Sequence, residues 1–198
     1  SLRGDFAFEQ SRSAGVDGAM GTMDDVSVIR IGAAKVTLSL GTGASAVVTV
    51  AQGTGFFLIT PNGMAGSLSA SIAFNIPGVS FSGTFRLQVN NSTDRMRETF
   101  TVGVFPVTLD LPAGRYLSVE GAGVNLDVLG QTLRGDFRFE QLTLTGGARV
   151  TRLSANNAAI SLGGASPATA AVRVTDGTGQ FLVSPAGLAG ELSANVLA

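Results

Sequence analysis

The stretch Gly66–Pro77 alternates with a period of two: Leu68, Ala70, Ile72, Phe74 and Ile76 fall on one side, and Ser67, Ser69, Ser71 and Asn75 on the other. Only an extended strand places every second residue on one face, so this pattern calls for a β-strand apolar on one side. The same alternation continues in Val79, Phe81, Gly83, Phe85, Leu87 and Val89. It returns in Val107, Leu109 and Leu111, and again in Val124, Leu126 and Val128. Between such runs lie Thr60–Gly63, Leu111–Gly114 and Ser184–Gly187, each carrying Pro and Gly in turn order. No stretch of ten or more residues has a helical period. The expected fold is all-β, an antiparallel meander of about 14–17 short strands, built as an elongated sandwich or a solenoid-like repeat.

The second constraint is internal repetition. Leu2–Gln10 returns as Leu133–Gln141 with one difference, Ala7 against Arg138. Arg30–Gly41 returns at Arg152–Gly163, and Gly53–Ala70 at Gly177–Ala194. The offset is 131, then 122, then 124. The first copy therefore carries extra residues, placed within 11–25, and the second gains two near Ala165–Pro167. The chain divides into a first unit, 1–132, and the first half of a second, 133–198. A fainter echo aligns Phe81–Gln88 with Leu133–Glu140, and Leu58–Gly63 with Leu109–Gly114.

Both long copies contain Arg-Gly-Asp, the tripeptide that integrins read: Arg3-Gly4-Asp5 and Arg134-Gly135-Asp136. In the fainter copy the same positions are Ser82, Gly83 and Thr84. What the three share is Gly followed two residues later by Phe, at Phe6, Phe85 and Phe137. Both tripeptides are expected within paired strands, with Arg and Asp on the solvated face and Gly accommodating a bulge or a large neighbour. The three Phe are expected at equivalent buried positions.

Composition narrows the chemistry. The chain is 44% hydrophobic and 14% charged, with a formal net charge of -1, so it has no electrostatic footprint for nucleic acid. No charge occurs from Val36 to Phe85. Ser, Thr, Asn, Gly and Pro break that segment well short of 18 apolar residues in a row, and the absence of Trp with a single Tyr argues against the aromatic girdles of a membrane barrel. Without His or Cys, Ser-His-Asp, Cys-His and zinc arrangements are ruled out. The glycine-rich Gly41–Ala46 and Gly177–Phe181 lack the Gly-Lys-Ser/Thr of a phosphate cradle. The expectation is a protein without catalytic residues or cofactor. For Ca²⁺ the candidates are Asp24 with Asp25, and Asp176, the last weakened because its counterpart is Gln52. Asn90 and Asn91 open two overlapping Asn-x-Ser/Thr acceptors, read here as a polar hairpin turn.

The run from Gly53 through Gln141, with its Leu-Pro-Ala-Gly turn and its Leu-Arg-Gly-Asp-Phe strand, resembles the tandem β-rich repeats of very large bacterial secreted or cell-surface proteins. The resemblance covers most of residues 26–198, and residues 11–25 depart from it. It implies a building block in a long array, placed outside the cell, with neighbouring repeats or other copies of itself as head-to-tail partners. The chain begins and stops inside strand patterns, which reads as a fragment whose open edges associate end to end.

Three roles fit these observations: a structural stalk, filament or adhesin segment, ranked first; an open β-groove that carries lipid; and a loop-based adhesive or ligand-binding module. A closed sandwich fills its interior with its own Phe, Leu and Val, whereas a groove leaves the apolar face open. The twelve Phe residues suffice for a narrow interior, which is why the stalk ranks first.

Overall fold

The computed structural model describes residues 1–13, 20–23, 25–42, 45–144, 146–164 and 167–197. Their secondary structure is all-β apart from one short 3-10 turn, Pro167–Thr169. The strands are β1 (Leu2–Ser13), β2 (Val26–Thr42), β3 (Ser45–Thr60), β4 (Gly63–Ile76), β5 (Val79–Asn90), β6 (Met96–Val102), β7 (Phe105–Leu111), β8 (Tyr116–Val128), β9 (Gln131–Thr143), β10 (Arg149–Leu162), β11 (Val172–Ser184) and β12 (Gly187–Leu197). Ten of them form one antiparallel meander in the order β1-β2-β3-β4-β5-β8-β9-β10-β11-β12. The remaining two, β6 and β7, pair only with each other.

The strands are fewer and longer than expected because bulges carry the chain through points that read as breaks in the sequence. Lys35, Gln52, Asn157 and Asp176 all sit in the left-handed region, at φ 52°, 55°, 52° and 54°. Each lies where the pairing register slips, so the strand kinks and continues instead of turning back. Reversals occur where the sequence supplies turn residues. Between β8 and β9, Leu129 and Gly130 both have positive φ, at 51° and 84°, as a two-residue type I′ loop requires.

Matching residues of the two long copies pair alike. Ala33 opposes Gly55 and Val36 opposes Gly53 in the β2–β3 pair. Ala155 opposes Gly179 and Ala158 opposes Gly177 in the β10–β11 pair. The extra residues of the first copy fall in the connection from Ser13 to Val26, against the shorter path from Thr143 to Arg149.

Among the described residues, two layers exist only where the β6–β7 hairpin lies over the face of β1–β5. There Leu109 and Leu111 join Val28, Phe56, Leu58, Ala65 and Tyr116 in a buried cluster, flanked by Val26, Met96, Val107 and Leu142. The roots of the hairpin are fastened by Asn90, which is fully buried. Its amide nitrogen donates to the carbonyls of Asp94 and Pro112, both at 2.8 Å. Its oxygen accepts from the Ser92 backbone N–H at 3.0 Å and the Ser92 hydroxyl at 2.7 Å. Outside this patch the described residues of the large sheet form a single layer.

Candidate functional surface: an open apolar sheet face

The register places the large apolar side chains in rows across the ten strands. One row runs Phe6, Ala33, Gly55, Leu68, Leu87 and Val119 over the first six strands in space. It continues through Phe139, Leu153, Phe181 and Gly190 over the last four. Apart from Arg12 and Arg149 at strand ends, no Asp, Glu, Lys or Arg of the described strands in the large sheet falls on this face. The hairpin covers the opposite side. Leu68, Leu87, Val119, Leu153, Phe181 and Leu192 are therefore all exposed. Contiguous exposed apolar surface on this scale marks an interaction face.

The floor of this face is low. Its aromatic rings lie down over glycines of the same or neighbouring strands. A Cβ on Gly66 would overlap the Phe57 ring, and one on Gly190 would overlap the Phe181 ring. The Phe85 ring would meet a Cβ on Gly121 at 2.9 Å, and the Phe137 ring one on Gly135 at 3.2 Å. Phe74, Phe81 and Phe85 stack in sequence, with centroids 5.1 and 5.5 Å apart. A hollow of about 400 Å³ opens among Phe85, Val119, Val124, Phe137, Phe181 and Leu192. Rings that lie flat fill the grooves of their own sheet and leave a shallow trough rather than knobs for interdigitation.

The expectation of three equivalent buried Phe positions is corrected here. Phe6 is 63% exposed, while Phe85 and Phe137 are half-buried. Phe6 stands on an edge strand with a neighbour on one side only. The other two lie between paired strands, over glycine.

Both Arg-Gly-Asp copies lie within paired strands, and Gly4 and Gly135 sit at register slips. Asp5 lies 4.0 Å from Lys35. Asp136 accepts from the Gly123 backbone N–H at 2.7 Å and the Asn157 side-chain amide at 3.2 Å. These two bonds, the Gly123 one foremost, hold its carboxyl below the usual carboxylate range. A carboxyl depressed in the folded state stabilises the fold above the unfolded value of about 3.9 and loses that contribution as pH falls through the folded value. An NMR titration is therefore expected to give Asp136 a midpoint below that of an unperturbed aspartate, shifting upward in Asn157→Ala. A midpoint at or above the ordinary value would mean that neither bond persists in solution.

Two of the Ca²⁺ candidates, Asp25 and Asp176, are engaged in local hydrogen bonds. Asp25 accepts from the Gly21 backbone N–H at 2.7 Å and closes a local turn. Asp176 accepts from the Thr175 hydroxyl and the Asn195 amide, both at 3.1 Å. Asp24 lies outside the described residues. Among the described residues no group of three or more metal-ligating side chains forms. Glu140 takes part in ion pairs with Arg138 at 2.9 Å and Arg152 at 3.5 Å, and accepts from the Tyr116 hydroxyl at 3.2 Å.

Asn90 was legible only as a glycan acceptor or turn residue. Its burial under the hairpin roots comes from the tertiary fold. Asn91 is also engaged, its side-chain oxygen accepting the Met64 backbone N–H. The chain matches no protein-family model, no curated protein and no solved structure.

Proposed function

We propose that this chain is a non-enzymatic repeat module of a large bacterial extracellular or cell-surface protein, and that its open sheet face is a trough for apolar chains such as the acyl tails of lipids. The observation that carries the carrying role is the near absence of charge from a face that spans ten strands and stays open to solvent. Away from the strand ends, a trough of flat rings and glycines offers an extended chain continuous apolar contact with few polar groups to desolvate. The array part of the proposal rests on the repeated sequence and on the like pairing of its two copies.

A second reading, a stalk whose sheets pair face to face, is favoured by area alone. Ten strands about 4.8 Å apart and roughly 12 residues long present on the order of 1,700 Å² per face, against the ~800 Å² per partner of a standard stable interface. Twist limits how much of two such faces can mate.

Titration with a fluorescent long-chain fatty acid, alongside sedimentation of the free protein, separates the two. The expected result is saturable binding by a monomer, weakened at least ten-fold in Val119→Lys and Leu192→Lys with unchanged far-UV circular dichroism. A stable dimer that ignores the probe would replace the trough with the paired stalk. A monomer that ignores it would remove both.

A further inference from the structure

The face opposite the trough carries a second platform that matches the one beneath the β6–β7 hairpin. β9, β10, β11 and β12 repeat β1, β2, β3 and β4 residue for residue in register. Val28, Leu58 and Ala65 of the covered core therefore correspond to Val150, Leu182 and Ala189. Leu58 is 3% exposed under the hairpin, whereas Leu182 is 39% exposed. The ion pairs repeat as well. Arg30 bridges Glu9 on the neighbouring strand at 3.3 Å and Glu98 on the hairpin at 3.7 Å, with its side chain 16% exposed. Arg152 makes the matching bridge to Glu140 at 3.5 Å, but its side chain is 59% exposed and no hairpin acid reaches it among the described residues. A hollow of about 720 Å³ opens at this place, lined by Arg138, Glu140, Arg152, Gln180, Leu182 and Glu191.

We infer that this platform is a docking site for a β-hairpin of the β6–β7 kind, supplied by a further copy of the hairpin-bearing segment. The inference rests on the array reading above and deepens it: each unit's sheet is capped by a hairpin, on the side away from the trough. The precedent is intramolecular. The same rows in the same register hold such a hairpin over β1–β5. Charge complementarity fixes its placement, because an acid at the Glu98 position completes the Arg152 pair while apolar residues at the Leu109 and Leu111 positions cover Leu182 and Ala189. The two platforms differ at several positions, among them Ala7, Gly32, Ala34, Phe56 and Ser67, which become Arg138, Ser154, Asn156, Gln180 and Glu191. The docked hairpin therefore meets a mixed-charge centre, and its fit depends on the apolar end and the Arg152 contact.

The chain has no cysteine, so Leu182→Cys reports on this surface alone. In the protein as it stands, the thiol is expected to react with a maleimide close to the rate of a free thiol. In a chain extended by a repeat of residues 71–143 placed after Ala194, which stands where Ala70 does in the first copy, the reaction is expected to slow at least ten-fold. Glu98→Lys in the added copy alone is expected to restore most of the rate. An added segment that gains no strand signal in circular dichroism, or one that folds while Leu182→Cys stays as reactive as before, overturns the inference. Equal protection with and without Glu98→Lys would also overturn it, by removing the Arg152 contact that places the hairpin. The fatty-acid probe reads the opposite face, so failure of the carrying role shows itself separately.

Discussion

Phe56→Ala is expected to destabilise the fold by about 3–5 kcal/mol, the usual loss for emptying a fully enclosed aromatic site. Phe56 has no solvent exposure and belongs to the cluster formed with Val28, Leu58, Leu109, Leu111 and Tyr116. The hairpin above it is held by its own two strands, so the cavity has little freedom to collapse. Phe6→Ala is the control, because that ring already stands in solvent on the edge strand. Its loss should stay below about 1 kcal/mol, as for other surface substitutions. Urea unfolding of the two variants, followed by circular dichroism, decides the matter. Similar losses at both sites would place the core somewhere other than under the hairpin.

Asn90→Ala removes the fastening rather than the packing. The side chain serves four hydrogen bonds at the roots of the hairpin. Its loss strands the Pro112 carbonyl and the Ser92 backbone N–H, while the Asp94 carbonyl keeps the Ser92 hydroxyl as donor at 3.0 Å. A buried polar group left without a partner costs about 1–3 kcal/mol, so a total of about 2 kcal/mol or more is expected. Hydrogen exchange should localise the damage. The amides of β6 and β7 should exchange much faster, while those pairing β9 with β10 should keep their protection, because the two regions share no contacts at Asn90. A uniform loss across the sheet would show that the hairpin and the sheet unfold together, and a total below about 1 kcal/mol would show that the network is dispensable.

Much of the architecture is legible in residue order. Period-two alternation fixes an extended backbone and sorts side chains onto two faces, because successive side chains of a strand point opposite ways. Pro and Gly clusters mark the reversals, and the Arg-Gly-Asp copies reveal themselves as strand segments through the Ser82-Gly83-Thr84 replacement. The alternation also invites the inference that the apolar face is the interior. It is not, since the fully buried residues Phe56, Leu109 and Leu111 lie beneath and within the hairpin, on the otherwise polar side. A signal for this was present. Phe56, Phe57, Leu58 and Ile59 are consecutive, and an unbroken apolar run in a strand puts large apolar side chains on both faces, the hairpin side included.

What only the tertiary structure decided is which face is covered and by what. Local pattern sets the direction of each side chain, but the place where β6–β7 lands depends on Asn90, on the pairing of Arg30 with Glu98 and on the register of five strands at once. Apart from the local Asn90–Asp94 bond, those contacts join residues tens of positions apart, so no short window of sequence contains them. The bulges at Lys35, Gln52, Asn157 and Asp176 are of the same kind. Each is a left-handed residue within a strand, favoured only because its paired neighbours hold it there. The sequence by itself determined strands, turns, repeat and the apolar face; the tertiary structure left that face open and set the core on the other side, because burial is a property of what packs across a surface and not of the surface alone.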